Sequence, residues 1–462
     1  MGCCARVLDG ADPLTEVRKV AHQELDKWLD QLAPLFDQEK PPTLLELSRH
    51  FTQTRTTLLG GVLQSISESL YAHFLDQKQC HCPQCRALLN RKRLDAKHYN
   101  TLQGPGSLQR PYFYCRRCKI GFHPVDEALE LTRAFHQYDV EEKVLKLATE
   151  MPYERAAELV SDLTGVPVSN HHGHDTLVEV AQIADLETVI PDREEMVRRI
   201  EQAKKRPDDK PVLVVAVDGA HAPTRRRSPR NHKRGPGKWR EVKGVRFYLA
   251  PEDGRIIQIA SWHQIQDAEA MQRDIEQIAA RIPQAQVRIA LLGDGAAWIW
   301  NSLAACFPNG KQVLDYYHCS EHLHKVAEAH YGKTPEAIQW VESATARLFE
   351  NQVDSVIWGL QRFQATASAQ EEIDKLITYL RNQQDRIDYA ARKAEGLPIG
   401  SGGIESANKF ISHVRLKRSG AWWIVENGNG ILRLCCALYS GTFERVFEKY
   451  RKEKSRNFGT NG

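Results

Sequence analysis

The sequence predicts an α/β layer on a mixed sheet, preceded by a helical region, a small cysteine module and a helix-turn-helix-like segment. Three observations carry this. Short β-branched apolar runs alternate with helical periodicity after residue 207. Two C-x-x-C pairs fall between residues 80 and 125. Helical apolar spacing lies on both sides of them. A chain of 462 residues is too long for one ordinary domain and fits roughly three. With 42% hydrophobic and 26% charged residues, overall disorder is excluded. No uncharged apolar run approaches the ~20 residues of a membrane span, so no membrane partner is expected.

Residues 1–79 carry helical spacing, as in Val20, Leu25, Trp28, Leu29 and Leu32, with further helical patterns beginning at Thr43 and at Thr56. The N-terminal stretch MGCCARVLDG has an early acid and no apolar core, so it reads as no signal peptide, and Arg6 stands where a myristoylation start wants Ser or Thr. Residues 80–125 read as a loop-rich module with a turn signal at Gly104–Pro105–Gly106. Residues 126–206 read as helical. There, YERAAELVSDLTG and SNHHGHDTLVEVAQIADLE are joined by a short Gly165 link, with Ser169 as N-cap of the second helix, the outline of a helix-turn-helix. Residues 207–448 hold the strands VLVVAVDG, VKGVRFYLA, GRIIQIASW, QVRIALLGDG and KQVLDYYH, interleaved with helices and followed by an almost wholly helical stretch. Residues 449–462 read as a charged, frayed tail.

Net charge is only +4, but Thr224–Lys243 holds nine Lys/Arg against one Glu. Eleven cysteines are too few for a disulfide scaffold of this length. Their pairing points to a reducing compartment and a metal, hence a cytoplasmic protein. Cys82-Pro-Gln-Cys85 and Cys115-Arg-Arg-Cys118 are two knuckles separated by 29 residues. Each lets two thiolates meet one ion, and together they complete a tetrahedron suited to structural Zn²⁺; an iron–sulfur site would use the same ligands.

Two acids stand at the ends of strand runs, Asp218 in VLVVAVDG and Asp294 in IALLGDG. That edge of an α/β sheet is where ligands bind. Paired carboxylates there repel unless a cation joins them, and two Mg²⁺ (or Mn²⁺) ions are the usual device for in-line phosphoryl displacement. A third acid, Glu405, follows the Gly-rich turn Gly400–Gly403 at the start of a helix.

The order Asp218, Asp294, Glu405, with separations of 76 and 111 residues, resembles a DDE transposase with an RNase H-like core, whose helical insertion would fall at about 321–392. More closely, YFYCRRCKIGFHPVDEALEL, VAVDGA, LLGDGAAWIW, DYYHCSEHL and GSGGIESANK…RLKRSGAWW resemble transposases of the bacterial ISKra insertion-sequence group, over about residues 75–445. The resemblance implies that Asp218, Asp294 and Glu405 hold two Mg²⁺ ions. The reaction it implies is phosphodiester hydrolysis at the element's terminal inverted repeats followed by strand transfer into target DNA, performed by a homodimer or larger synaptic complex associated with the nucleoid. Asp315-Tyr-Tyr-His318 resembles the [C/D]-x-x-H element of Mutator-like transposases, with Asp315 orienting His318. The segment AWWIVENGNG departs from the group's pattern, which motivates a second reading: a catalytically inactive or domesticated, sequence-specific DNA-binding protein.

Arg225, Arg226, Arg227, Arg230, Lys233, Arg234 and Lys238 follow Asp218 on a Pro/Gly-interrupted loop, and Lys417 and Arg418 follow Glu405. Basic groups beside such a site neutralise phosphates. Asn170 and His171 open the second helix of the helix-turn-helix, the place from which base edges are read.

Overall fold

A computed structural model describes residues 13–36, 40–226, 237–250, 255–365 and 367–456. The chain divides into two compact units after Ile183, and from Phe447 onward it belongs again to the first.

The first unit opens on α1 (Pro13–Leu32) and α2 (Leu44–Leu70). Buried Trp28 meets Phe51 edge-on at 4.8 Å, and its indole donates to Thr54 Oγ1 at 3.0 Å. Thr43 and Glu46 close a capping box at the start of α2. The two helical patterns expected from Thr43 and Thr56 are therefore one helix of 27 residues. Gly60 lies within it because a Cβ there would stand 2.5 Å from Pro105 O of a strand packed across it.

After the short α3 (Ala72–Leu75) come β1 (Gln79–His81) and β2 (Leu88–Asn90), an antiparallel pair. Next come β3 (Arg93–Thr101), β4 (Gly104–Cys115) and β5 (Ile120–Phe122), an antiparallel three-stranded sheet. This corrects the loop-rich expectation. The turn is Leu102–Gln103, and Gly104, at φ +127°, begins β4. Pro105 and Pro111 are tolerated because β5 pairs only with residues 113–115, so their N–H side is an open edge.

Then follow α4 (Pro124–Ala128), α5 (Tyr138–Ala148), α6 (Tyr153–Thr164) and α7 (Asn170–Ile183). The last three enclose Val140, Val144, Val160 and Val166. Gly165 ends α6 in the left-handed region at φ 76°.

Glu141 of α5 is almost fully buried and faces the hydroxyl of Tyr450 at 3.4 Å. Burial, with Glu179 adding repulsion, pushes its carboxyl up to about 8 against the partial offset of Tyr450. The folded state binds this proton more tightly than the unfolded chain does. Stability is thus full below the ordinary value of 4.5 and is lost as pH rises toward 8. Glu141→Gln is expected to stabilise the protein by ~2 kcal/mol at pH 7 and to flatten the decline in Tm between pH 5 and 8, read by thermal unfolding at several pH values.

The second unit begins with α8 (Leu186–Val189) and α9 (Arg193–Ala203). Arg199 donates to the carbonyls of Gln258, Ile259 and Ser440. These bonds tie α9 to the sheet unit, so the boundary expected near residue 206 falls earlier in the chain.

The sheet holds β6 (Val212–Thr224), β7 (Lys238–Leu249), β8 (Ile257–Gln264), β9 (Arg288–Gly293) and β10 (Lys311–Leu314). Its order is β10-β9-β6-β7-β8. β6, β7 and β8 are antiparallel neighbours, and β9 and β10 run parallel to β6. The runs are buried on both faces, which is why they read as continuous apolar stretches. Helices α10 (Ala268–Ala279) and α11 (Ala297–Cys306) make the crossovers. After β10 come α12 (Tyr316–Tyr331), α13 (Pro335–Phe349), α14 (Val353–Leu360), α15 (Ala367–Gln383) and α16 (Tyr389–Ala394), a wholly helical stretch.

The chain returns through α17 (Gly402–Asn408), a π-helical segment Lys409–His413 and α18 (Val414–Leu416). It then forms α19 (Val425–Ser440) and α20 (Phe443–Arg456). α20 corrects the expected frayed tail as far as Arg456: Phe443, Val446, Phe447 and Tyr450 give it a buried apolar stripe. Among the described residues no helix is long and apolar enough to cross a membrane.

Candidate active site and cysteine cluster

Parallel β6, β9 and β10 carry acids toward one edge of the sheet. Asp294 directly follows β9, and Asp315 directly follows β10. Asp218 is not at the end of its strand, as the Asp-Gly pair implied. It lies inside β6, two residues beyond the last pairing with β9, because β7 continues to pair with β6 out to Thr224. For the parallel neighbours the effect is the same, since Asp218 emerges where β9 has stopped. This carboxyl-end edge is where open α/β sheets bind ligands.

Each acid is held from the protein side. Asp218 Oδ1 accepts the Gly219 N–H at 2.7 Å, and Oδ2 accepts Asn408 Nδ2 at 2.6 Å. Asp294 Oδ1 accepts the Ala296 N–H at 2.9 Å. Its backbone turn is clamped by α15: Tyr379 donates to the Asp294 carbonyl and Gln383 to the Gly295 carbonyl, both at 2.9 Å. Gly295 is at φ +105°, and a Cβ there would meet Tyr379 at 2.8 Å.

Asp315 caps α12 through the Tyr317 N–H and also accepts the Ser401 N–H, both at 3.1 Å. Ser401 Oγ lies 2.5 Å from Asp315 Oδ2 and 3.0 Å from Glu405 Oε1, so its single proton serves one of the two carboxylates at a time. Glu405 is thereby linked to Asp315. Arg246 fixes the start of α17 by donating to the Gly403 carbonyl.

Burial pushes the Asp218 carboxyl up to about 6, with Asp294 and Asp315 adding repulsion. Burial likewise raises Asp315, against its bonds from Ser401 and Tyr317. His318 is half-buried on the first turn of α12, near both acids. The expected orienting bond from Asp315 gives way to a different arrangement. Both oxygens of Asp315 are engaged by Ser401 and Tyr317, while His318 Nδ1 lies 3.8 Å from Glu321. His318 and His322 meet edge to face at 5.1 Å, and His322 packs on Tyr379.

At the far end of β6, six residues past Asp218, Thr224, Arg225, Arg226, Lys238 and Arg240 line a groove of about 650 Å³ with residues 424–427. Arg227, Arg230, Lys233 and Arg234 fall outside the described residues, as do the side chains of Asn170 and His171. Lys417 and Arg418 are exposed after α18, and Arg418 Nε is engaged by the Val414 carbonyl. The divergent Trp422–Trp423 stretch forms an extended contact at the end of β6: Trp423 exchanges backbone bonds with Pro223 and Arg225. Gly428 and Gly430 lie inside α19, not in a loop. Asn429 between them bonds both the N–H and the carbonyl of Ile265 after β8, and a Cβ at Gly428 would press on Ile265 at 3.2 Å.

In the first unit, the sulfurs of Cys82, Cys85, Cys115 and Cys118 all lie within 4.8 Å of one another and could hold a metal ion such as zinc. Arg86 and Lys119, each following the second cysteine of a knuckle, share the left-handed region at φ 59° and 55°. Among the described residues this is the one group of three or more metal-ligand side chains so closely gathered; the carboxylates of 218, 294 and 405 stand farther apart.

The sequence model of an uncharacterised protein family, UPF0236, matches residues 44–453. The chain belongs to UPF0236. Comparison with curated proteins gives no match. Among solved structures, the Drosophila P element transposase strand transfer complex is similar over 68% of this chain and 81% of that chain, at 13% identity and a TM-score of 0.26.

Proposed function

We infer that this UPF0236 member is a divalent-metal-dependent DDE-type transposase with an RNase H-like core. In this reading it hydrolyses phosphodiester bonds at the ends of an insertion sequence and transfers the strands into target DNA. One observation carries the reading: Asp218, Asp294 and Asp315 lie at one edge of a mixed sheet, near enough that the last two raise the first, and Glu405 shares the Ser401 hydroxyl with Asp315. The sheet order, an antiparallel β6-β7-β8 meander extended by two parallel strands on the β6 side, supports the same reading.

The donor set fits Mg²⁺ or Mn²⁺, since it consists of hard carboxylate oxygens that repel one another. Asp218, Asp294 and Glu405 would hold two such ions, which would supply activation of the attacking water or 3′-hydroxyl and stabilisation of the leaving 3′-oxygen. The residues of the chain supply position. Asp218 and Asp294 are set on rigid strand and turn backbone, and Glu405 is brought by α17. Asp315 anchors the Gly-rich turn that precedes α17. In this reading His318, on the first turn of α12, contacts the scissile phosphate or a flipped base.

The cysteine cluster holds structural zinc, and α6–α7 serve as a helix-turn-helix for the terminal repeats. The pairing of two DNA ends calls for at least a dimer. Arg225 and Arg226 in the groove bind DNA backbone. Replacing both by Ala is expected to weaken DNA binding uniformly across sequences and to lower the slope of log affinity against log salt by roughly 2, read by fluorescence anisotropy.

Purified protein with DNA carrying the sequences that flank its reading frame tests the function. Nicked or excised ends are expected with Mg²⁺ or Mn²⁺ and none with EDTA. Binding without cleavage under every metal condition would favour the domesticated DNA-binding reading.

A further inference from the structure

The acid at the centre of the candidate site is held by residues to which the sequence reading gave no role. Asp218 on β6 and His263 on β8 are both register partners of Gly244 on the intervening strand β7. The three therefore form one cross-strand row with no side chain at its middle. Gly244 does not need its glycine for a left-handed backbone; it needs it for space. A Cβ there would stand 2.5 Å from His263 Cδ2 and Nε2, and 3.3 Å from Asn408 Oδ1. Asn408, almost fully buried at the end of α17, spans the gap. Its Nδ2 is 2.6 Å from Asp218 Oδ2, and its Oδ1 is 3.0 Å from His263 Nε2.

We propose that Asn408, His263 and Cys436 are positioning residues, a one-way hydrogen-bond relay that fixes the carboxylate of Asp218 for metal binding. An ionised carboxylate only accepts, so the amide nitrogen of Asn408 faces Asp218 and its oxygen faces His263. The imidazole must then carry its proton on Nε2, leaving Nδ1 bare toward Cys436 Sγ, 3.9 Å away. Complete burial keeps the ring neutral, lowering His263 to about 3, and burial holds Cys436 as a thiol able to donate. Every proton in the row points toward Asp218. With Gly219 on Oδ1 and Asn408 on Oδ2, each oxygen takes one bond from the protein and keeps capacity for a further partner. The π-helical segment begins immediately after Asn408, a feature frequent at functional sites. Glu405 and Asn408, three residues apart on α17, bond toward Ser401 and Asp218 respectively.

The inference rests on the metal reading above for its functional consequence, while the relay itself can be read without metal. ¹⁵N-histidine NMR on the full-length, zinc-loaded protein is the first measurement, with the resonance assigned by its loss in His263→Gln. The relay requires a neutral Nε2–H tautomer that does not titrate between pH 5 and 8. An Nδ1–H tautomer or an imidazolium in that range overturns it.

Mn²⁺ binding followed by EPR is the second measurement. Asn408→Ala is expected to weaken binding about 10- to 100-fold with an unchanged circular dichroism spectrum. Gly244→Ala should act in the same direction. His263→Gln, which can still donate to Asn408, should stay within about threefold of wild type, whereas His263→Leu should not. Equal Mn²⁺ affinity in wild type and Asn408→Ala would overturn the positioning role and leave the metal reading standing. Wild type and Asp218→Ala that bind Mn²⁺ alike would overturn the metal reading, with the tautomer still deciding the relay.

Discussion

Asp218→Ala, Asp294→Ala and Glu405→Ala are each expected to reduce strand cleavage by at least about 10³-fold while DNA binding persists. Groups that hold one reactive arrangement act as a unit, so the double variants should be little worse than the singles. The structure adds a gradient around this core. Ser401→Ala removes the tether between Asp315 and Glu405 and should lower cleavage less than loss of Glu405 itself. Tyr379→Phe frees the Asp294 carbonyl and should act in the same direction from a helix outside the sheet. The measurement is cleavage of end-bearing DNA under single-turnover conditions. Wild-type cleavage surviving all three acid substitutions would remove the catalytic assignment.

Loss of the cysteine cluster is expected to have the largest effect on stability. The cluster's small core holds Cys82, Cys115 and Ile120, with Cys85, Leu89 and Cys118 against it. Apart from the cysteines, this core holds Ile120 and Leu89, and Phe122 of β5 stacks on buried Phe113 of β4, a small apolar core for two knuckles and three short strands. Structural zinc sites contribute on the order of 10 kcal/mol or more to the fold they close. Cys115→Ser, or chelation of the wild type, should therefore unfold the region around β1, β2 and β5, seen as loss of hydrogen-exchange protection there. Metal analysis should give one zinc per chain for wild type. A metal-free wild type with the same protection would contradict the zinc reading.

The strand runs were legible because β6, β9 and β10 are buried on both faces and read as unbroken apolar stretches. The knuckles were legible because the ligand spacing is itself the chemistry. Cross-strand facts were hidden. Nothing local to VLVVAVDG says that β7 carries its pairing six residues past Asp218, so the Asp-Gly pair looked like a turn. Gly104–Pro105–Gly106 looked like a turn for the same reason and lies in a strand with one open edge. Gly428 sits within a helix where that helix approaches Ile265 closely, and Asn429 bonds the Ile265 backbone. Ser401, Asn408, His263, Tyr379 and Gln383 touch the site across sequence gaps of up to 190 residues. No spacing rule reaches that far. For His263 the hint was a polar residue inside an apolar strand, IQIASWHQ, whereas Ser401 and Asn408 lie inside the GSGGIESANK stretch.

The account turns on the acids of β6, β9 and α17 holding divalent cations. Anomalous scattering at the manganese edge from crystals equilibrated with Mn²⁺ tests this directly. The account predicts two peaks among Asp218, Asp294 and Glu405, both lost in Asp218→Asn. Crystals with no manganese peak at these carboxylates at millimolar Mn²⁺ would contradict it.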